Sequence, residues 1–176
     1  MSTINGLPAH ILLVHAIVVL LPLAATLLVV TTVWPAMRRR LAGPNVLLAL
    51  AVLALVPVTT DAGEWLEQRV PQTPLLHDHT ELGDTAVWVA LPVAVLALFV
   101  WWRGREADNG VAPVGGRTFL APGSAVVTRI VVAVAVVAAG LGIYDVYRIG
   151  DSGAKASWTG QFSSTPLPGE GRDDGD

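Results

Sequence analysis

The chain has 176 residues, 53% of them hydrophobic and only 14% charged, with a formal net charge of -3 and no cysteine. Soluble domains carry about 25% charged residues, so this composition excludes an ordinary cytosolic enzyme and a disordered protein. The mild negative charge excludes a nucleic-acid binder, which must neutralise phosphates, and zero cysteine removes disulfides, iron–sulfur clusters, thiolate zinc sites and cysteine nucleophiles.

The missing charges are concentrated in runs. No Asp, Glu, Lys or Arg occurs from Met1 to Met37, Leu41 to Thr60, Thr85 to Trp102, or Thr118 to Thr128, and after Arg129 the next is Asp145. A bilayer core of about 30 Å needs roughly 20 apolar residues as helix. Four segments qualify: residues 10–34, 45–62, 79–102 and 125–148. They must be helices, because lipid offers no partner to backbone N–H and C=O groups, and the alternating pattern of a barrel strand is missing. The first run has no positive leader and is too long for a signal-peptide core, so it reads as a retained helix.

Local signals fit these spans. Gly43–Pro44 reads as a break before the second helix, and Pro71 and Pro74 interrupt the connection that follows it. Asp78 with Glu81 resembles a capping box opening the third helix. Pro22, Pro57 and Pro92 fall inside three spans and should bend them locally. In the fourth, Ala135/Ala139 and Ala138/Gly142 recur every four positions, a spacing that admits a close neighbour. Residues 1–158 thus form one four-helix membrane domain, and the Gly-, Pro-, Ser- and Asp-rich residues 159–176 read as a disordered tail. Asn109 to Gly116 reads as a flexible loop.

Orientation follows from basic residues in short connections. Arg38, Arg39 and Arg40 lie in the first, and Arg103, Arg105 and Arg117 in the third. The second holds Arg69 against Asp61, Glu64, Glu67, Asp78, Glu81 and Asp84. The first and third connections are therefore expected in the cytoplasm and both termini outside it. Trp34, Trp101 and Trp102 mark one interface, and Trp65, Tyr144 and Tyr147 the other. Ten Arg against one Lys, with abundant Ala and Val, points to a bacterial genome rich in GC and hence to the bacterial inner membrane.

The residues able to do chemistry collect on the outer side. His10 and His15 are in the first helix, Asp61 and Glu64 end the second, His77 and His79 open the third, and Asp145 and Arg148 end the fourth. His10 and His15 differ by about 7.5 Å of rise and about 140° of rotation, so they do not share a face. An ionisable group at the depth of His15 is a candidate functional residue. A b-type haem needs two imidazoles from different helices; His15 with His79, or His10 with His79, meets that requirement. A metal held by His77, His79, Glu64 and Asp61 is a further option. Asp61, Glu64, Asp145 and Arg148 read first as a structural ion-pair cluster closing the bundle. No G-x-S-x-G, P-loop or H-E-x-x-H motif is present.

Four segments together carry a resemblance: Gly6-Leu-Pro-Ala-His-Ile-Leu-Leu-Val-His15, Thr60-Asp-Ala-Gly-Glu-Trp-Leu-Glu67, His79-Thr-Glu-Leu-Gly83, and Tyr144-Asp-Val-Tyr-Arg-Ile-Gly-Asp-Ser-Gly-Ala-Lys155. The set resembles the bacterial membrane proteins grouped as the domain of unknown function 2231 family, over roughly residues 6–158. The matched positions are His10, His15, Glu64, His79 and Arg148; Ile11 stands where relatives often have Pro. The resemblance implies four membrane helices and no assigned activity. Some relatives are joined to Rieske-type iron–sulfur domains, which implies an electron-transfer setting, although this chain lacks that domain and its cysteines.

The expected function is a non-catalytic or accessory membrane subunit, in contact with lipid and with a respiratory or envelope complex. The alternatives are an electron-transfer protein that holds one b-type haem or meets a quinol, and a small transporter. The Val-, Ala- and Leu-rich midplanes speak against the transporter.

Overall fold

The computed structural model describes residues 3–108, 120 and 123–165. The expected loop at 109–116 and the end of the expected tail, 166–176, lie outside the described residues.

The chain opens with a two-residue hairpin, β1 (Thr3–Ile4) paired antiparallel with β2 (Leu7–Pro8). Its turn is Asn5–Gly6, both at positive φ (52° and 81°), the backbone that a two-residue hairpin favours and that Asn and Gly tolerate. Pro8 then caps α1 (Ala9–Val33). One extended residue, Trp34, separates α1 from α2 (Pro35–Glu67). A short helix α3 (Pro74–Gly83) precedes α4 (Ala86–Asp108), and α5 (Ala125–Trp158) completes the fold.

Four stretches are long and apolar enough to cross a membrane: α1, α2, α3 with α4, and α5. α1 packs on α2 and α5, and α4 also packs on α2 and α5, so the four close into a ring with α1 and α4 diagonal. α3 lies on α5, with a lesser contact to α2. The chain is therefore an all-α bundle of four membrane-crossing helices, as its hydropathy predicts.

Small residues build the interior. Ala24, Ala25, Ala49, Ala90, Ala94, Ala97 and Ala135 are buried beside Leu21, Leu28, Val52 and Val93. Lipid tails are as apolar as these side chains, so association here rests on close van der Waals packing rather than on water exclusion. The outward faces are equally apolar, with Val19, Leu47, Trp88 and Val137 exposed. Polar groups inside the bundle are satisfied locally. Thr31 and Thr32 donate to the carbonyls of Leu27 and Leu28 within α1. Asn45 is fully buried, and its amide spans to α1, donating to the Ala24 carbonyl and accepting from the Leu28 N–H, each at 3.2 Å.

Element boundaries differ from the expected ones, and α2 and α4 run on to Glu67 and Asp108 rather than ending at 62 and 102. α2 starts at Pro35 rather than near residue 45 and runs through Pro44. Pro35 in the first turn needs no N–H bond partner and is pre-set for helix, and membrane bundles tolerate an internal proline. The third crossing starts earlier and is split: Thr73, not Asp78, caps α3 by accepting from the Leu76 N–H at 3.2 Å, and the helix breaks at Asp84–Thr85 before α4. α5 continues ten residues past the expected end, carrying Gly150, Ser152 and Gly153 as helix.

Candidate functional site

Two imidazoles face each other at the end of the bundle where α1 begins and α5 ends. His10 and His79 have ring centres 6.3 Å apart and planes at 75°. α1 supplies the first and α3 the second, from elements that are distant in sequence.

Each ring is clasped by a different neighbour. His10 Nδ1 lies 2.9 Å from the Thr59 carbonyl of α2. A carbonyl only accepts, so Nδ1 carries the hydrogen and, in the neutral ring, Nε2 keeps its lone pair. His79 Nδ1 lies 2.9 Å from Ser152 Oγ of α5, and that hydroxyl donates its one hydrogen to the Ile149 carbonyl. Ser152 therefore accepts from His79, which leaves Nε2 of His79 in the same state.

Glycine makes both clasps close. A Cβ at Gly63 would stand 2.9 Å from His10 Nδ1, and one at Gly153 would stand 2.9 Å from His79 Cε1. Thr59 and Gly63 are four apart on α2, one helical turn, so one face of that helix both bonds and abuts the ring. Ser152 and Gly153 do the same from α5.

Open volume surrounds the pair. A cavity of about 420 Å³ reaches from His10 and His79 to Glu64, Thr73 and Gln161. A smaller one of about 60 Å³ extends into the bundle and is lined by Val14, Ile17, Val56 and Val146. His10, Thr60, His79 and Gly83 border both cavities. A side chain at Gly83 would meet no atom within 4 Å.

The other expected site residues are placed elsewhere. His15 is exposed on the opposite face of α1, its Nδ1 turned to the Ile11 carbonyl of its own helix. His77 is exposed and pairs with Glu81 at 3.2 Å. Asp61 and Glu64 are exposed, although Glu64 borders the larger cavity. Among the described residues, no three of His, Asp or Glu converge as metal ligands, so Asp61, Glu64, His77 and His79 are not brought together.

Asp145 and Arg148 also part company. Asp145 is buried, and both its carboxylate oxygens lie 3.0 Å from Thr85 Oγ1, at the α3–α4 break. Arg148 is exposed and stacks over the Tyr144 ring at 5.9 Å. Thr85 and Ser152 are site-building residues that sequence reasoning missed. The signal for Ser152 was available in the Gly-Asp-Ser-Gly segment. Nothing in the chain around Thr85 announced its partner, 60 residues away.

The opposite end carries Arg38, Arg39, Arg40, Arg103 and Arg105. Arg103 is buried; its Nε donates to the Leu120 carbonyl at 3.1 Å, and its Nη2 to the Ser124 carbonyl and Thr128 Oγ1 at 3.2 and 2.9 Å. Glu106 accepts from the Leu120 N–H at 3.0 Å. Arg103 is thus a structural clasp between α4 and the start of α5.

These features define a multi-pass helical membrane protein with a histidine pair at one end. The chain belongs to the family described as predicted membrane protein (DUF2231), whose model matches residues 6–166. No curated protein matches it, and no solved structure does.

Proposed function

We propose that this protein is a non-catalytic subunit of the bacterial inner membrane that holds one b-type haem between His10 and His79 and relays electrons within a respiratory or envelope complex. The observation that carries this reading is the spacing of the two rings. Two imidazoles that would each give one nitrogen to the same metal, at about the 2.0–2.1 Å seen for imidazole on zinc, would have ring centres within about 6.5 Å of each other. The observed separation is 6.3 Å.

The donor chemistry supports the fit. Ligating histidines donate their other N–H to a carbonyl or similar acceptor, which fixes the tautomer and raises ligand basicity. The Thr59 carbonyl does this for His10 and the Ser152 hydroxyl for His79. Two imidazoles suit a macrocycle that brings four nitrogen ligands of its own. The larger cavity, about 420 Å³, falls within the range of roughly 300–1,000 Å³ typical of cofactor sites. When bound, the haem supplies one-electron chemistry at its iron. The protein holds both ligands in one tautomer, leaves room at Gly83, and offers apolar walls from α1, α2 and α5.

The basic residues Arg38, Arg39, Arg40, Arg103 and Arg105 gather at the other end of the bundle. By the excess of positive charge in cytoplasmic loops, the histidine pair faces the extracytoplasmic side, with both termini.

The test is spectroscopic. The full chain, expressed with haem supply and purified in detergent, is reduced with dithionite. A sharp b-type α-band is expected, lost in His10→Ala and in His79→Ala and kept in His15→Ala. A colourless wild-type protein would overturn the proposal; a band surviving in both His10→Ala and His79→Ala would overturn the ligand assignment.

A further inference from the structure

The arginine end holds a second site, independent of the histidine pair. Arg38, Arg39 and Arg40, from the start of α2, meet Arg105 and Trp101 of α4 around a cavity of about 170 Å³. Asp108 is its single carboxylate. The ion pairs among the described residues are His77 with Glu81 and Lys155 with Asp151, so none of these four guanidiniums has a carboxylate of a described residue within 4.0 Å.

Two of the cations, Arg38 and Arg105, rest on neighbouring groups. Arg38 is half-buried and lies against Gly104, where a Cβ would stand 3.4 Å from its Cδ. It also borders a small cavity with the buried Arg103, so two guanidiniums share one side of the bundle. Arg105 lies over the Trp101 ring at 5.4 Å, an arrangement that orients a guanidinium. Gly43 lets α2 approach, a Cβ there standing 3.4 Å from Trp101 Nε1. Four guanidiniums and one carboxylate around a single cavity leave a net positive charge there, which an anion would offset. Guanidinium forks match the oxygens of a phosphate in geometry as well as charge.

The geometry points to a phosphate-ester site occupied by the headgroup of an anionic phospholipid. The tryptophans decide for lipid as the source. Trp34 and Trp102 are exposed beside the cavity-lining Trp101, and indoles settle at the headgroup level of a bilayer. Basic pockets between membrane helices at that level take anionic headgroups. The junction of α1 with α2 and the end of α4 are thereby tied together by a lipid phosphate.

The test uses the full chain in a neutral detergent, delipidated, with phosphatidylglycerol, phosphatidylcholine or inorganic phosphate added separately. Phosphatidylglycerol is expected to raise the melting temperature by several degrees, and phosphatidylcholine not to. The gain should vanish in the double variant Arg38→Gln/Arg105→Gln and persist in Arg129→Gln, which removes an exposed arginine outside the cavity. Equal stabilisation by both lipids, or a gain retained in the double variant, overturns the site. Inorganic phosphate that stabilises as well as phosphatidylglycerol and competes with it overturns the lipid assignment. Native mass spectrometry of the wild type gives a readout that does not depend on the variant folding: preferential retention of phosphatidylglycerol over phosphatidylcholine supports the site, and equal retention overturns it.

Discussion

The two ends of the bundle solve opposite problems. At the histidine end, the two facing imidazoles are held by hydrogen bonds to a neutral carbonyl and a neutral hydroxyl of neighbouring helices, and the space beside them is left open. At the other end the groups are permanently charged, and Arg103 is enclosed by oxygen acceptors of the chain that leads into α5. An imidazole held by one nitrogen keeps the other free for chemistry, whereas a guanidinium that spends its donors on carbonyls is committed to structure. Polar residues in a membrane bundle are therefore informative through what their partners leave unused, more than through their presence.

Substitutions can break this contrast. The largest expected effect is at Gly83, which borders both cavities and has open space where a side chain would go. Gly83→Leu should fill the histidine cavity and abolish haem absorbance while leaving the melting temperature of the haem-free protein nearly unchanged; a fall in that temperature would mean the glycine serves packing instead. Next is Arg103→Leu, which removes charged donors from the Leu120 and Ser124 carbonyls. Hydrogen bonds to charged groups contribute roughly 1.5–3 kcal/mol each, so a loss of about 3 kcal/mol is expected in reversible unfolding in detergent, with haem absorbance retained.

Thr85→Val should cost less, about 1–3 kcal/mol, because it keeps the shape of the side chain but removes a hydroxyl whose one hydrogen is shared between the Leu82 carbonyl and the buried Asp145 carboxylate. Since Thr85 stands just after α3, which carries His79, this variant should also weaken haem retention. A variant that unfolds more easily yet binds haem as tightly would separate the α3–α4 break from the site. The smallest effect belongs to His77→Ala. Its pair with Glu81 is exposed on both sides, and such pairs contribute little, so neither melting temperature nor absorbance should change measurably. A loss of absorbance there would sharpen the comparison against His79 as the ligand.

The four crossings were legible because a run without charge is a direct statement about solvent. The clustering of the histidines at one end followed from counting residues along each span. The choice between His10 and His15 as partner for His79 was left open, because helical periodicity gives the angle between two residues of one helix but not how that helix is turned toward its neighbours. The structure turns His10 inward and His15 outward. The same limit hid Thr85 from Asp145, and it made Arg148 resemble an ion-pair partner although it stacks on Tyr144. Arg103 was read only as a topology charge because sequence cannot show a guanidinium folding back onto a connection. Gly43–Pro44 looked like a stop because the rules that penalise helix interruption come from water, where a freed carbonyl is easily satisfied outside the helix.

The length of α5 has a consequence for where the bundle meets water. At about 1.5 Å per residue, Ser152 stands about 40 Å along the helix from its first turn, beyond the roughly 30 Å that hydrocarbon occupies. A rod of that length outreaches the oil, so at least one of its ends stands among headgroups or in water.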